Sequence, residues 1–330
     1  MEVIEEGQGR LVGFRDPDEN RRWVLENKSR KLEDKRMSAK EAVSRFVNSG
    51  DFVAFGGFGH VRVSMSIVYE LIRQGKSGLT MAGKTAVHDI DLLVASGCVD
   101  KVEVAYSFGH ELRGLSNASR RAVETGRCKV VSEISNAGYQ WRFLAGMMGI
   151  PFIPSRTLSG TDTFKRSSAK TVRCPFTKKP LTLIPSCNPD VGLVHVHRCD
   201  KYGNAQIDGN LIEDFEISRC SRRLIVTTEK IIPNRKIRLE PWRTTVPFYL
   251  VDAVVIVPYG AHPCQMPLKY FFDEEHISEW LELSKSDDGV REYLEKYVHS
   301  VDSFDQYLKL VGGRRKMKRL ERIEEKVGRD

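Results

Sequence analysis

Apolar residues along this chain follow two rhythms. Short, nearly unbroken apolar runs bounded by Gly, Pro, Asn or Asp occur at Phe52–Phe55, Leu79–Ala82, Leu181–Ile184, Val191–His197, Arg223–Thr228 and Ala253–Val257. Lys101–Tyr106 and Lys129–Glu133 are shorter-patterned runs of the same kind. Runs of this length rich in β-branched and aromatic residues predict strands, several of them buried on both faces. Between them apolar residues recur at helical spacing, which predicts helices over Met65–Gln74, Ile90–Ala95, Ala118–Thr125 and Gly138–Met148. Ser38-Ala39-Lys40-Glu41 has capping-box spacing, and Ala42, Val43, Phe46 and Val47 continue it as a helix. From Asp273 to Leu310 the helical rhythm dominates, through Trp280, Leu283, Val290, Tyr293, Leu294, Tyr297 and Val298. Strand and helix alternating at this pace predict an α/β fold: an open, mostly parallel sheet flanked by helices, with a helical C-terminal region. Ser159–Pro180 is polar and reads as a loop, and Asp200–Asn204 as a hairpin turn.

The two ends differ from the middle. Residues 1–36 form a charged extension, expected to be helical from Glu19 to Lys35 and otherwise a loose arm; 37–311 is the domain; 312–330 is a basic tail. The tail holds eight basic residues against four acidic ones, half of the formal net charge of +8. No aromatic residues interleave its basic ones, so nucleic acid is not an expected partner. At 330 residues and 41% apolar content the chain can bury a substantial core. No apolar run approaches the ~20 residues that span a bilayer, and the first residues lack the charge and apolar pattern of a secretory signal. Seven cysteines at scattered positions without a C-x-x-C pair fit reduced thiols, and a cytoplasmic location is expected.

Candidate chemistry concentrates in Phe52–Arg62. The buried run ends in Gly56-Gly57-Phe58-Gly59, where a backbone without Cβ atoms can approach a ligand and aim amides at a polarised oxygen; the same glycines also suit the plain end of a strand. Arg62 can pair with a carboxylate substrate or form a salt bridge to a partner. Gly260 and His262 follow another buried strand, at a place where loops meet ligands; His262 also suits a loop-stabilising role. His195-Val196-His197-Arg198-Cys199 alternates metal-ligand types, but on one short strand with no evident fourth ligand, and a packed role is preferred. Gly83-Lys84-Thr85 lacks the spacing of a phosphate loop.

Together these stretches resemble the family I CoA-transferases, specifically the α-subunit. Val53-Ala54-Phe55-Gly56-Gly57-Phe58 is similar to the family's first signature, with Arg62-Val63-Ser64 where glycine and proline are common. Ser116–Arg121, the Asp200–Asn204 turn and Asp252–Pro263 are similar to the glutaconate branch, and the likeness spans about residues 37–311. The resemblance implies a fold of the CoA-transferase and sugar-phosphate isomerase type in each of two subunits. It also implies a β-subunit partner that carries the nucleophilic glutamate in a Ser-Glu-Asn-Gly-type motif, which this chain lacks. Acyl-CoA and a carboxylic acid would be the substrates, with no metal and no cofactor beyond the CoA thioester. Gly56, Gly57, Phe58, Gly59, Arg62, Gly260 and His262 would then line the substrate site. Asn136 stands where the family often has glutamine, as an oxyanion donor or as a helix N-cap. The same architecture also serves ring-opening CoA-thioester hydrolases, and from a different class a non-catalytic small-molecule-binding module.

Overall fold

A computed structural model describes residues 2–327. Seven strands form a parallel sheet: β1 (Phe52–Phe55), β2 (Leu79–Lys84), β3 (Val99–Ala105), β4 (Lys129–Glu133), β5 (Val191–Val196), β6 (Arg223–Thr228) and β7 (Ala253–Ile256). Their order across the sheet is β7-β6-β5-β1-β2-β3-β4. The chain starts in the centre, winds outward to β4, returns to the other side of β1 and winds out again to β7. β1 and β5 are therefore neighbours, with Val53 opposite Val191 and Phe55 opposite Leu193. In open α/β sheets the crevice beyond the strand ends at such a reversal is where ligands bind.

The continuous apolar runs have a direct cause: alternate residues feed two cores. Val53, Phe55, Val191 and Leu193 face a large core beneath the helices Met65–Arg73, His88–Ala95 and Glu274–Leu283. Phe52, Ala54, Val194 and Val196 face a second core closed by the helices Asn136–Met148 and Asp214–Cys220.

The polar stretch from Ser159 to Pro180 is not a loop. It contains the helix Asp162–Arg166 and the strand Lys170–Arg173. That strand belongs to an antiparallel four-stranded sheet with Val3–Glu6, Pro180–Pro185 and Phe152–Ser155. Only Thr171 and Val172 of that strand are buried, and as consecutive residues they point to opposite faces, so no alternating run marks the strand in the sequence. The N-terminal arm is likewise attached. Asp16 caps the helix Pro17–Asn27, which stops well short of Lys35. Lys28 leaves the helix to bury its ammonium against Asp252 at 3.1 Å, and burial lowers its pKa. Lys35 donates to the carbonyls of Phe248 (2.8 Å) and Val251 (2.6 Å), so the arm covers the β7 edge, where unpaired backbone groups would otherwise face outward.

The basic tail is a helix, Gly313–Val327, folded against the body. Met317 and Leu320 enter the large core. Two of its acidic residues face inward, Glu321 accepting from Tyr259 (2.6 Å) and Glu324 from Gln265 (2.6 Å), whereas Arg314, Arg315, Lys318, Arg319 and Arg322 lie on the outer side. No described helix is long and apolar enough to cross a membrane.

Candidate active site

The loop leaving β1 turns back on itself at the strand reversal. Phe58 and Val61 exchange backbone hydrogen bonds (2.9 and 2.8 Å), and Arg62 N donates to Gln265 O at 2.8 Å. The turn requires φ of +88° at Gly57, and a Cβ there would lie 2.3 Å from Val61 O. A Cβ on Gly56 would lie 2.6 Å from Asp214 Oδ1. The glycines thus admit a neighbouring carboxylate and the folded-back chain. All four amides of Gly56–Gly59 have acceptors inside the protein: Leu193 O, Asp214 Oδ1, Val61 O and Thr85 O. The amides expected to aim at a substrate oxygen are already engaged, and what the loop offers a ligand is its surface.

An arginine–aspartate ion pair and a buried lysine–carboxyl contact buttress this surface. Arg62, buried in the left-handed region (φ +57°), contacts Asp214 at 2.8 Å and donates to Asn210 O at 2.8 Å. Lys84 Nζ lies 2.7 Å from Glu213 Oε2 and 5.4 Å from the centre of the Phe58 ring. Burial raises the Glu213 pKa to about 8, against the opposing pull of Lys84. Thr85 links the loop to the next element: its carbonyl accepts from Gly59 N (3.0 Å), and its hydroxyl donates to Asn136 Oδ1 (3.1 Å). With Oδ1 taken, Asn136 has its amide hydrogens to offer. Alongside lies a cavity of about 290 Å³ lined by Thr85, Tyr106, Phe108, Glu111 and Leu115 among others. Tyr106, Leu112 and Leu115 are exposed around it, and Phe58 is 36% exposed.

Residues 36–256 match the family Coenzyme A transferase. The chain belongs to that family. It is similar to an uncharacterized protein of Archaeoglobus fulgidus, 63% identical over 98% of this chain and 73% of the relative. It is also similar to one of the subunits of 3-oxoadipate CoA-transferase from Pseudomonas knackmussii, 31% identical over 82% of this chain and 96% of the relative. The corresponding subunit of glutaconate CoA-transferase from Acidaminococcus fermentans is 29% identical over 84% and 92%. The crystal structure of glutaconate coenzyme A-transferase from that organism has a TM-score of 0.82, covering 87% of this chain and 95% of the other.

In this CoA-transferase chain, Gly56–Gly59, Arg62 and Asn136 come together, but Gly260 and His262 stand apart from them. Gly260 is buried in the β7 loop, its amide donating to Glu229 Oε1 at 3.2 Å. The His262 ring points into the large core, between Tyr307 Oη (2.8 Å) and Asp273 Oδ2 (2.9 Å), and is fully buried. It holds the C-terminal helices rather than facing a crevice. Burial lowers its pKa, and the hydrogen bond to Asp273 opposes that. Asn136 is not the N-cap: Ser135 is, accepting from Gly138 N at 3.0 Å. His195 bonds Thr227 (2.8 Å) and Glu229 (2.9 Å), and His197 bonds Pro267 O (2.8 Å) and Asp208 N (3.0 Å), so both are satisfied packing groups.

Nothing in the sequence marks Lys84, Glu213 and Asp214 as site residues. The acidic pair opening the helix Asp214–Cys220 is the one local signal; its partners come from loops distant in the chain. A larger cavity, about 540 Å³, lies elsewhere, beside the end of β7 among Ile256, Phe304, Leu308 and Met317. Apolar groups make up most of its surface, although Lys40, Glu70, Asp305, Lys309 and Arg314 also line it.

Proposed function

We propose that this chain is the α-subunit of a heteromeric CoA-transferase that moves CoA between an acyl-CoA and a carboxylic acid. The crevice at the β1–β5 reversal is half of the active site, and a β-subunit supplies the glutamate nucleophile. One observation carries the reading: the two buried carboxylates at this crevice, Glu213 and Asp214, are committed to Lys84 and Arg62, and the half-exposed Glu111 pairs with Arg113 at 3.1 Å. None of the three is free to attack a thioester. The exposed apolar rim of Tyr106, Leu112 and Leu115 supports a partner surface, since such groups next to a polar site mark places where another surface is covered.

The chemistry is acyl transfer. The β-subunit carboxylate attacks the thioester carbonyl, and the CoA thiolate leaves from a mixed anhydride. The thiolate then attacks the glutamyl carbonyl of that anhydride, forming glutamyl-CoA and releasing the first acid; the acceptor carboxylate reverses the sequence. Each addition builds negative charge on an oxygen, and a fixed donor such as the Asn136 amide lowers that barrier by ~3–4 kcal/mol. The glycine loop holds the acyl chain against a preformed wall. Arg62 keeps the wall in place through Asp214; it does not pair with the substrate.

The test is to co-purify this chain with its partner and add acyl-CoA with borohydride or hydroxylamine. Trapping of one β-subunit glutamate supports the proposal. CoA release with no trapped glutamate and no need for an acceptor acid points to thioester hydrolysis and overturns it.

A further inference from the structure

Beneath the crevice, three histidines from three successive loops meet in the large core. His60 follows β1, His88 opens the helix after β2, and His110 lies in the loop after β3. All three are fully buried, and one ring nitrogen from each lies within 4.8 Å of the others. We propose that His60, His88 and His110 bind a divalent transition-metal ion of the zinc class, which ties together the loops that form the crevice.

Proton placement makes the case. Asp91 Oδ2 lies 3.2 Å from His110 Nε2, and it is fixed by Trp280 Nε1 at 2.7 Å; Ser119 donates to the other oxygen. His110 therefore carries its proton on Nε2 and turns a bare Nδ1 toward His60 Nε2, 3.2 Å away. If His60 donates across that gap, its own Nδ1 is bare and faces the Glu111 carboxylate at 3.5 Å, an acceptor opposite an acceptor. A metal ion removes the conflict. His60 Nδ1–H then points at Glu111, and the lone pairs of His60 Nε2 and His110 Nδ1 both face the ion. The 3.2 Å separation is close to the ~3.4 Å edge of a tetrahedron with metal–nitrogen bonds of ~2.0–2.1 Å.

His88 supplies the independent observation. Neither of its ring nitrogens has a hydrogen-bond partner among the described residues, although the ring is fully buried next to His60, His110 and Trp280. A buried imidazole of this kind needs a partner, and one of its nitrogens lies within 4.8 Å of those of the other two. Imidazole donors select zinc, cobalt, nickel, copper or iron over magnesium and calcium. Two of the ligands face carboxylates on the side away from the ion, as metal-bound histidines do. This site is independent of the proposed reaction and stands or falls without it.

The experiment strips the tag-free full chain with a chelator and titrates it with Co²⁺. The expected result is about one equivalent bound, with the intense visible absorption of tetrahedral cobalt. Zn²⁺ then displaces the cobalt and raises the melting temperature. His88→Phe, which keeps a buried ring but has no donor nitrogen, abolishes the absorption, while His299→Gln on the surface preserves it. Asp91→Asn retains the stoichiometry but weakens binding ~10- to 100-fold. Well under one equivalent on the unmodified chain, or a wild-type spectrum in His88→Phe, would overturn the proposal. The unmodified-chain titration decides the matter even if every variant misfolds.

Discussion

The loops Gly56–Arg62 and Val257–Gln265 begin from the same materials. Each leaves a buried strand of the parallel sheet, each contains glycine and histidine, and the two are joined where Arg62 N bonds Gln265 O. Their fates differ because of strand order. β1 lies at the centre where the winding reverses, so its loop borders a crevice with β2 and β5 on either side. β7 is the edge strand, and its loop is folded under the C-terminal helices, where Asp273 and Tyr307 enclose His262. A glycine loop beyond a buried strand thus becomes crevice wall or scaffold according to the strand's neighbours, which its local sequence does not state.

Substitutions that treat the loops alike should have unlike effects. Gly57→Val forces a side chain into Val61 O and displaces the crevice wall. We expect the chain to stay soluble and the αβ complex to lose turnover by ~10³-fold or more; normal turnover would reduce the loop to a strand end. Asn136→Ala should lower kcat by ~10²-fold with only a small drop in melting temperature from the lost Thr85 hydrogen bond, and equal kcat in mutant and wild type would remove Asn136 from the reaction. His262→Ala should reverse that pattern. It leaves Tyr307 and Asp273 without their buried partner and costs about 2–4 kcal/mol in urea unfolding, with kcat of the folded complex retained.

The smallest effect expected is a pH slope set by Glu213. Its carboxyl is raised from 4.5 to about 8 by burial. Between those values the folded chain holds a proton that the unfolded chain has released, so stability falls as pH rises through that window. Glu213→Gln should flatten the decline in urea midpoint between pH 5 and 8, and an unchanged slope would assign it to other groups.

How legible each part is follows from whether neighbours in space are neighbours in sequence. The parallel strands are readable because burial on both faces leaves a continuous apolar run, as in Phe52–Phe55 and Val191–Val196. The antiparallel sheet is only partly readable: Leu181–Ile184 shows as an apolar run, but Lys170–Arg173 buries only its two central residues and Val3–Glu6 none. The glycine loop announces itself through composition. The Lys84–Glu213 and Arg62–Asp214 pairs do not, since each joins loops brought together by strand order alone. Alternation draws attention to His195 and His197, which are satisfied where they stand, while the buried trio of His60, His88 and His110 is dispersed over three loops and has no local pattern.

The most direct measurement compares the two crevices themselves in the αβ complex. Phe58→Cys places a thiol at the β1 loop, and Ile256→Cys places one at the end of β7 beside the cavity of about 540 Å³, each in a Cys174→Ser background. If the β1–β5 crevice binds the substrate, acyl-CoA slows alkylation at position 58 by tenfold or more and leaves position 256 unchanged. Protection at 256 with none at 58 would contradict the account.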